Sequence, residues 1–82
     1  MNKISALTNP TRIKILSCLG KSPKSVSELI SVCELSQSAV SQHLSILKET
    51  GFVKTNKQGR LVVYSLSDGQ IAKISNLLVK YI

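Results

Sequence analysis

Acidic residues are scarce in this chain. Glu28, Glu34, Glu49 and Asp68 stand against 11 lysines and arginines, a net charge of +7 over 82 residues. On so small a surface that charge implies an anionic partner, nucleic acid first and a membrane surface second. Aromatics are nearly absent: Phe52, Tyr64, Tyr81 and no tryptophan. This disfavours modules that stack unpaired bases on aromatic platforms. One histidine, four scattered acids and no phosphate-cradling glycine loop supply no nucleophile with a base beside it, so no enzyme and no cofactor are expected. No apolar run is long enough to span a bilayer, and Met1–Leu7 lacks the apolar core and cleavage site of a secretory signal. A cytoplasmic protein without a membrane partner is the expectation. Only two cysteines occur, Cys18 and Cys33, which is no disulfide framework. They are expected to be small buried apolar residues, with thiol sensing by oxidation as the alternative.

What the chain does have is aliphatic bulk, with 43% hydrophobic residues. It is read as a single domain over 1–82, short enough that an independent core is marginal and dimerisation would help. The organising stretch is Ser36–Gly51. Ser36 is a good N-cap, and Gly51 suits the left-handed position just past a helix end. Val40, Leu44 and Leu47 recur at i, i+4 and i+7 and share one apolar stripe. Ser38, Gln42 and Ser45 project oppositely, with Gln37 and Ser41 on one flank and His43 on the other. A face of short hydroxyls and amides can approach a polyanion and offer directional hydrogen bonds to base edges. A solvated polar surface is the plain alternative.

In chain order, Ile4 and Leu7 give the opening a short apolar side. Asn9-Pro10 then starts a helix to about Leu19, Asn9 as cap and Pro10 at the first helical position. Arg12 and Lys14 are placed on its outer side. Ser25-Val26-Ser27-Glu28 is a capping box opening a third helix through about Cys33, with Leu29, Ile30 and Val32 as its apolar members. Glu34-Leu35 is a tight turn into the organising helix. Two short helices so joined make a helix-turn-helix, about 25–50, whose second helix enters the major groove. After Gly51 the period becomes 2: Phe52–Asn56 and Leu61–Leu66 read as two strands around a Lys57–Arg60 tip. Lys54, Lys57 and Arg60 make this a basic wing, about 52–66, able to reach phosphate or minor groove. Ser67-Asp68-Gly69-Gln70 resembles another capping box and opens a last helix, about 68–82. Ile71, Ile74, Leu77, Leu78 and Tyr81, with Ile4 and Leu7, are read as a self-complementary dimer face. The fold class is therefore mainly α with a small β-hairpin: a winged helix-turn-helix of about five helices with a two-stranded wing.

Leu7-Thr8-Asn9-Pro10-Thr11-Arg12-Ile13-Lys14-Ile15-Leu16 resembles the L-x-x-P-x-R-x-x-I-L opening of the ArsR/SmtB winged-helix repressors. Leu35–Leu47 resembles that family's L-S-Q-x-x-V-S-x-H-L-x-x-L recognition helix, and Gly51-Phe52-Val53 and Gly59-Arg60 to Tyr64-Ser65-Leu66 resemble its wing. The resemblance implies a homodimer on double-stranded operator DNA, released by an inducer that is often a metal ion. By position, Gln37, Ser38, Ser41, Gln42, His43 and Ser45 would read DNA, and Lys54, Lys57 and Arg60 would supply wing and phosphate contacts. The metal ligands of those sensors do not match. Where the thiolate type has C-V-C, this chain has Ser31-Val32-Cys33; where the last-helix type has D-x-H, it has Asp68-Gly69-Gln70. No metal site is expected. A winged-helix module that binds an acidic protein is the competing reading.

Overall fold

In the computed structural model, residues 2–82 are described. The order is α1 (Lys3–Ala6), α2 (Pro10–Leu19), β1 (Lys24–Ser25), α3 (Val26–Val32), α4 (Gln37–Glu49), β2 (Val53–Gln58), β3 (Leu61–Leu66) and α5 (Gly69–Leu78), followed by a 3-10 turn over Val79–Tyr81.

Local chemistry sets most helix starts. Asn2 Oδ1 accepts from the Ser5 amide at 2.8 Å, and Asn9 Oδ1 from those of Thr11 and Arg12 at 2.9 and 3.2 Å, with Pro10 opening α2. Both bonds of the Ser25–Glu28 box are made, at 3.0 and 3.2 Å. The Ser25 amide, then its hydroxyl, favours the charged carboxylate and holds the Glu28 pKa below the ordinary value. Ser36 caps α4 through the Ala39 amide. At α5 the cap is one residue later than the S-x-x-Q pattern suggests. Asp68 Oδ1, not the Ser67 hydroxyl, takes the amides of Gln70 and Ile71 at 2.9 and 3.3 Å. A carboxylate beside a helix N-terminus is favoured by charge as well as by hydrogen bonding.

Helix α4 ends in a Schellman closure. Gly51 has φ +84°, its amide donates to Lys48 O, and the Phe52 amide reaches back to Leu47 O. Helix α3 closes the same way, with the Leu35 amide on Ile30 O, but Glu34 occupies the left-handed position at φ +55°. The short turn between α3 and α4 needs that reversal whether or not glycine is present.

The sheet has three antiparallel strands in the order β1-β3-β2, not two. Lys24 and Ser25 pair with Tyr64 and Val63, so the segment leading into α3 is stitched to the wing. The hairpin is longer than its β-branched run. Strand β2 continues through Lys57 and Gln58, and the connection is only Gly59-Arg60, with Gln58 opposite Leu61. A positive φ at Gly59, +64°, and not at Arg60 fits a type II′ turn, which matches strand twist.

One core joins these elements: Ala6, Ile15, Leu16, Leu19, Leu29, Val40, Leu44, Leu47, Phe52, Val53 and Ile71. The apolar stripe of α4 is thus turned fully inward. Val32 is not core but 64% exposed, because α3 buries only its Leu29 side deeply. Two placements differ more strongly. Arg12, expected on the outer side of α2, is 7% exposed. Cys18 and Cys33 form a disulfide from α2 to the residue that ends α3. Those helices meet with a Cα–Cα distance of 6.7 Å, within disulfide reach, a juxtaposition that depends on the fold and not on spacing.

Candidate nucleic-acid interface

Burying Val40, Leu44 and Leu47 leaves the opposite face of α4 outward. Gln37, Ser38, Ser41, Gln42 and Ser45 are all exposed. None is tied by a side-chain hydrogen bond to another described residue. They present an uncommitted array of two amides and three hydroxyls over about two helical turns. The single acid of the helix, Glu49, lies at its far end. Lys54, Lys57 and Arg60 are exposed on the hairpin that follows α4 directly, and no acid lies between Val53 and Ser67. The chain thus offers directional donors and acceptors on α4 and positive charge on the hairpin that follows it; Ser45 shares a hollow with Lys48 and Glu49, and Lys54 lines another with Asp68.

His43 is placed differently from its five neighbours. It is half-buried, with Nδ1 3.2 Å from Nη1 of Arg12. A guanidinium only donates, so Nδ1 is the acceptor and the ring proton of the neutral imidazole sits on Nε2. Burial, then the Arg12 charge, holds the His43 pKa below 6.5. Arg12 also donates from Nε to Ala6 O at 2.8 Å and from Nη2 to Ser5 O at 3.1 Å. The motif arginine and the motif histidine are thus partners across 31 residues of sequence. Their types and spacing carried no signal of this.

Of the residues read as a dimer face, Ile4, Ile74, Leu77 and Tyr81 are exposed large apolar residues, and Ile82 joins them. Leu7 and Leu78 are half-buried, with Leu7 packed against the core. Ile71 belongs to the core at 7% exposure and is unavailable to a partner, because α5 must turn one side onto α2 and the sheet. The disulfide consumes both thiols. Among the described residues no group of three or more His, Cys, Asp or Glu could hold a metal ion. No helix among the described residues is long and apolar enough to cross a membrane.

Known proteins share this fold. The family model of bacterial regulatory proteins of the arsR family matches residues 9–55, from the cap of α2 into β2. The transcriptional activator HlyU of Vibrio cholerae is 43% identical over 75 residues, covering 92% of this chain and 69% of that protein. The HTH-type transcriptional repressor SmtB of Mycobacterium tuberculosis is 42% identical over 71 residues, covering 87% of this chain and 53% of its own length. The chain therefore spans about half to two thirds of these relatives. The solved structure of reduced HlyU from Vibrio cholerae superposes with a TM-score of 0.81 at 41% identity, over 95% of this chain and 82% of that one. With a winged helix-turn-helix fold and matches of this extent, the chain belongs to the ArsR family of bacterial transcriptional regulators.

Proposed function

We propose that this chain is a homodimeric repressor that binds a specific double-stranded DNA operator through α4 and the β2–β3 wing. The observation that carries the reading is the exposed, uncommitted polar face of α4, followed directly in the chain by the hairpin that exposes Lys54, Lys57 and Arg60. Gln42 and Gln37 have the amide chemistry that pairs with adenine in the major groove, and the serines suit bases or phosphates. The wing cations neutralise phosphate and contribute affinity without sequence preference. SmtB supports repression by its name; HlyU, named an activator, represents the opposite sign, which a promoter reporter decides.

Cys18 and Cys33 are the pair through which redox state would act. Two thiol donors reduce the bond, leaving two cysteine thiols and one donor disulfide. The cross-link reaches Cys33, three residues before the cap of α4, so its loss frees the turn that presents the recognition helix. Operator binding with and without reductant checks this: unchanged affinity leaves the bond a structural staple.

The test of the main reading is a pair of substitutions on a selected operator. Gln42→Ala should cost about 1–3 kcal/mol, concentrated at one base position. Lys57→Ala should weaken all duplexes alike and reduce the salt dependence. Equal loss on specific and nonspecific DNA for Gln42→Ala removes its reading role. A tight, salt-insensitive protein complex with no DNA affinity would favour the interaction-module reading.

A further inference from the structure

We infer that Arg12 and His43 are positioning residues that set the recognition helix against α1, and thereby fix the separation of the two recognition helices in a dimer. The inference rests on the DNA-binding homodimer reading and names what determines its geometry.

Three observations support it. First, α4 is held on the core mainly by Val40, Leu44 and Leu47, and apolar packing is not directional. Among the described residues, Arg12 is the only residue of another helix to which an α4 side chain is hydrogen-bonded. Second, the same guanidinium takes the Ser5 and Ala6 carbonyls at the C-terminal end of α1. One planar, rigid fork therefore links α1, α2 and α4, which a flexible ammonium would not do with the same geometry. Third, a buried charge is a costly way to fill space, and this one is retained with donors aimed at three named acceptors. What the arginine adds is direction. Helix α1 carries Ile4, 73% exposed and part of the proposed dimer face. A dimer reads half-sites whose spacing mirrors the separation of its recognition helices. A link from α1 to α4 is a link from the dimer face to the reading face.

The experiment uses the whole chain and a duplex that the unsubstituted chain selects from a random pool, remade with the half-site separation changed by one and two base pairs. His43→Asn keeps a carbonyl oxygen near the Nδ1 position and so an acceptor for Arg12. His43→Leu does not. Arg12→Met removes the donors and keeps the stem. The unsubstituted chain and His43→Asn should prefer the selected spacing by about tenfold or more. His43→Leu and Arg12→Met should flatten that preference to below about threefold while retaining affinity for nonspecific DNA. Circular dichroism screens each variant for folding, and the two histidine variants decide the matter if Arg12→Met does not fold. If His43→Asn loses as much as His43→Leu, or if both keep the spacing preference, the positioning role is overturned and DNA binding stands. If the unsubstituted chain selects no duplex, the DNA-binding reading falls and this inference with it.

Discussion

At the scale of single residues, two positions hold unusual states with opposite consequences. Glu34 sits at φ +55° in the α3–α4 turn, where a side chain costs roughly 1 kcal/mol and glycine nothing. Its carboxylate is exposed, so little is lost with it. Glu34→Gly should therefore raise stability by about 0.5 kcal/mol, the strain relief being partly offset by the freer unfolded chain. Urea unfolding measures this. His43 behaves differently, because its pKa is lowered in the folded state by burial and by Arg12. The neutral ring favours the fold, so its contribution is complete above 6.5 and is lost as pH falls through the lowered folded value. Protonation also removes the Nδ1 acceptor from Arg12. Stability should fall on acidification below about pH 6.5, and His43→Asn should flatten that part of the profile. A profile unchanged by the substitution would assign the titration elsewhere.

At the scale of elements, the disulfide between α2 and the end of α3 closes a sequence separation of 15 residues. Reduction, or Cys18→Ser with Cys33→Ser, should lower stability by about 3 kcal/mol, and the double variant should no longer respond to reductant. Paired denaturation curves check both statements. The elements also show what the sequence made legible. The caps at Asn9, Ser25 and Ser36 and the Gly51 closure were readable because a cap satisfies amides two or three residues away. Strand β1 was not readable. Lys24 and Ser25 have no strand preference, and Val63 and Tyr64 supply their pairing from about 40 residues further along. The burial of Arg12 escapes the sequence for the same reason: it is fixed by carbonyls of α1 and a ring on α4, which helical periodicity does not register. The polar face of α4 was legible because it is the complement of the stripe that must be buried.

At the scale of the whole molecule, 82 residues with one modest core leave Ile4, Ile74, Leu77, Tyr81 and Ile82 in water. On the proposed dimer reading these side chains form the association surface. Leu77→Glu should convert a dimer to a monomer in analytical ultracentrifugation at micromolar concentration. It should also weaken operator binding at least tenfold, since a monomer engages one half-site; an unaltered sedimentation coefficient would move the interface elsewhere. The same scale sets the electrostatics. On the proposed reading, the net charge of +7 supplies salt-dependent affinity for any duplex, and specificity comes from α4 and not from charge. The most direct test of that division is binding of the purified chain to its own upstream DNA at two salt concentrations, each with excess nonspecific competitor. The structure predicts that absolute affinity drops steeply with salt while preference for the upstream site over competitor persists. Equal affinity for site and competitor at both salts would contradict it, leaving a basic winged helix without an operator.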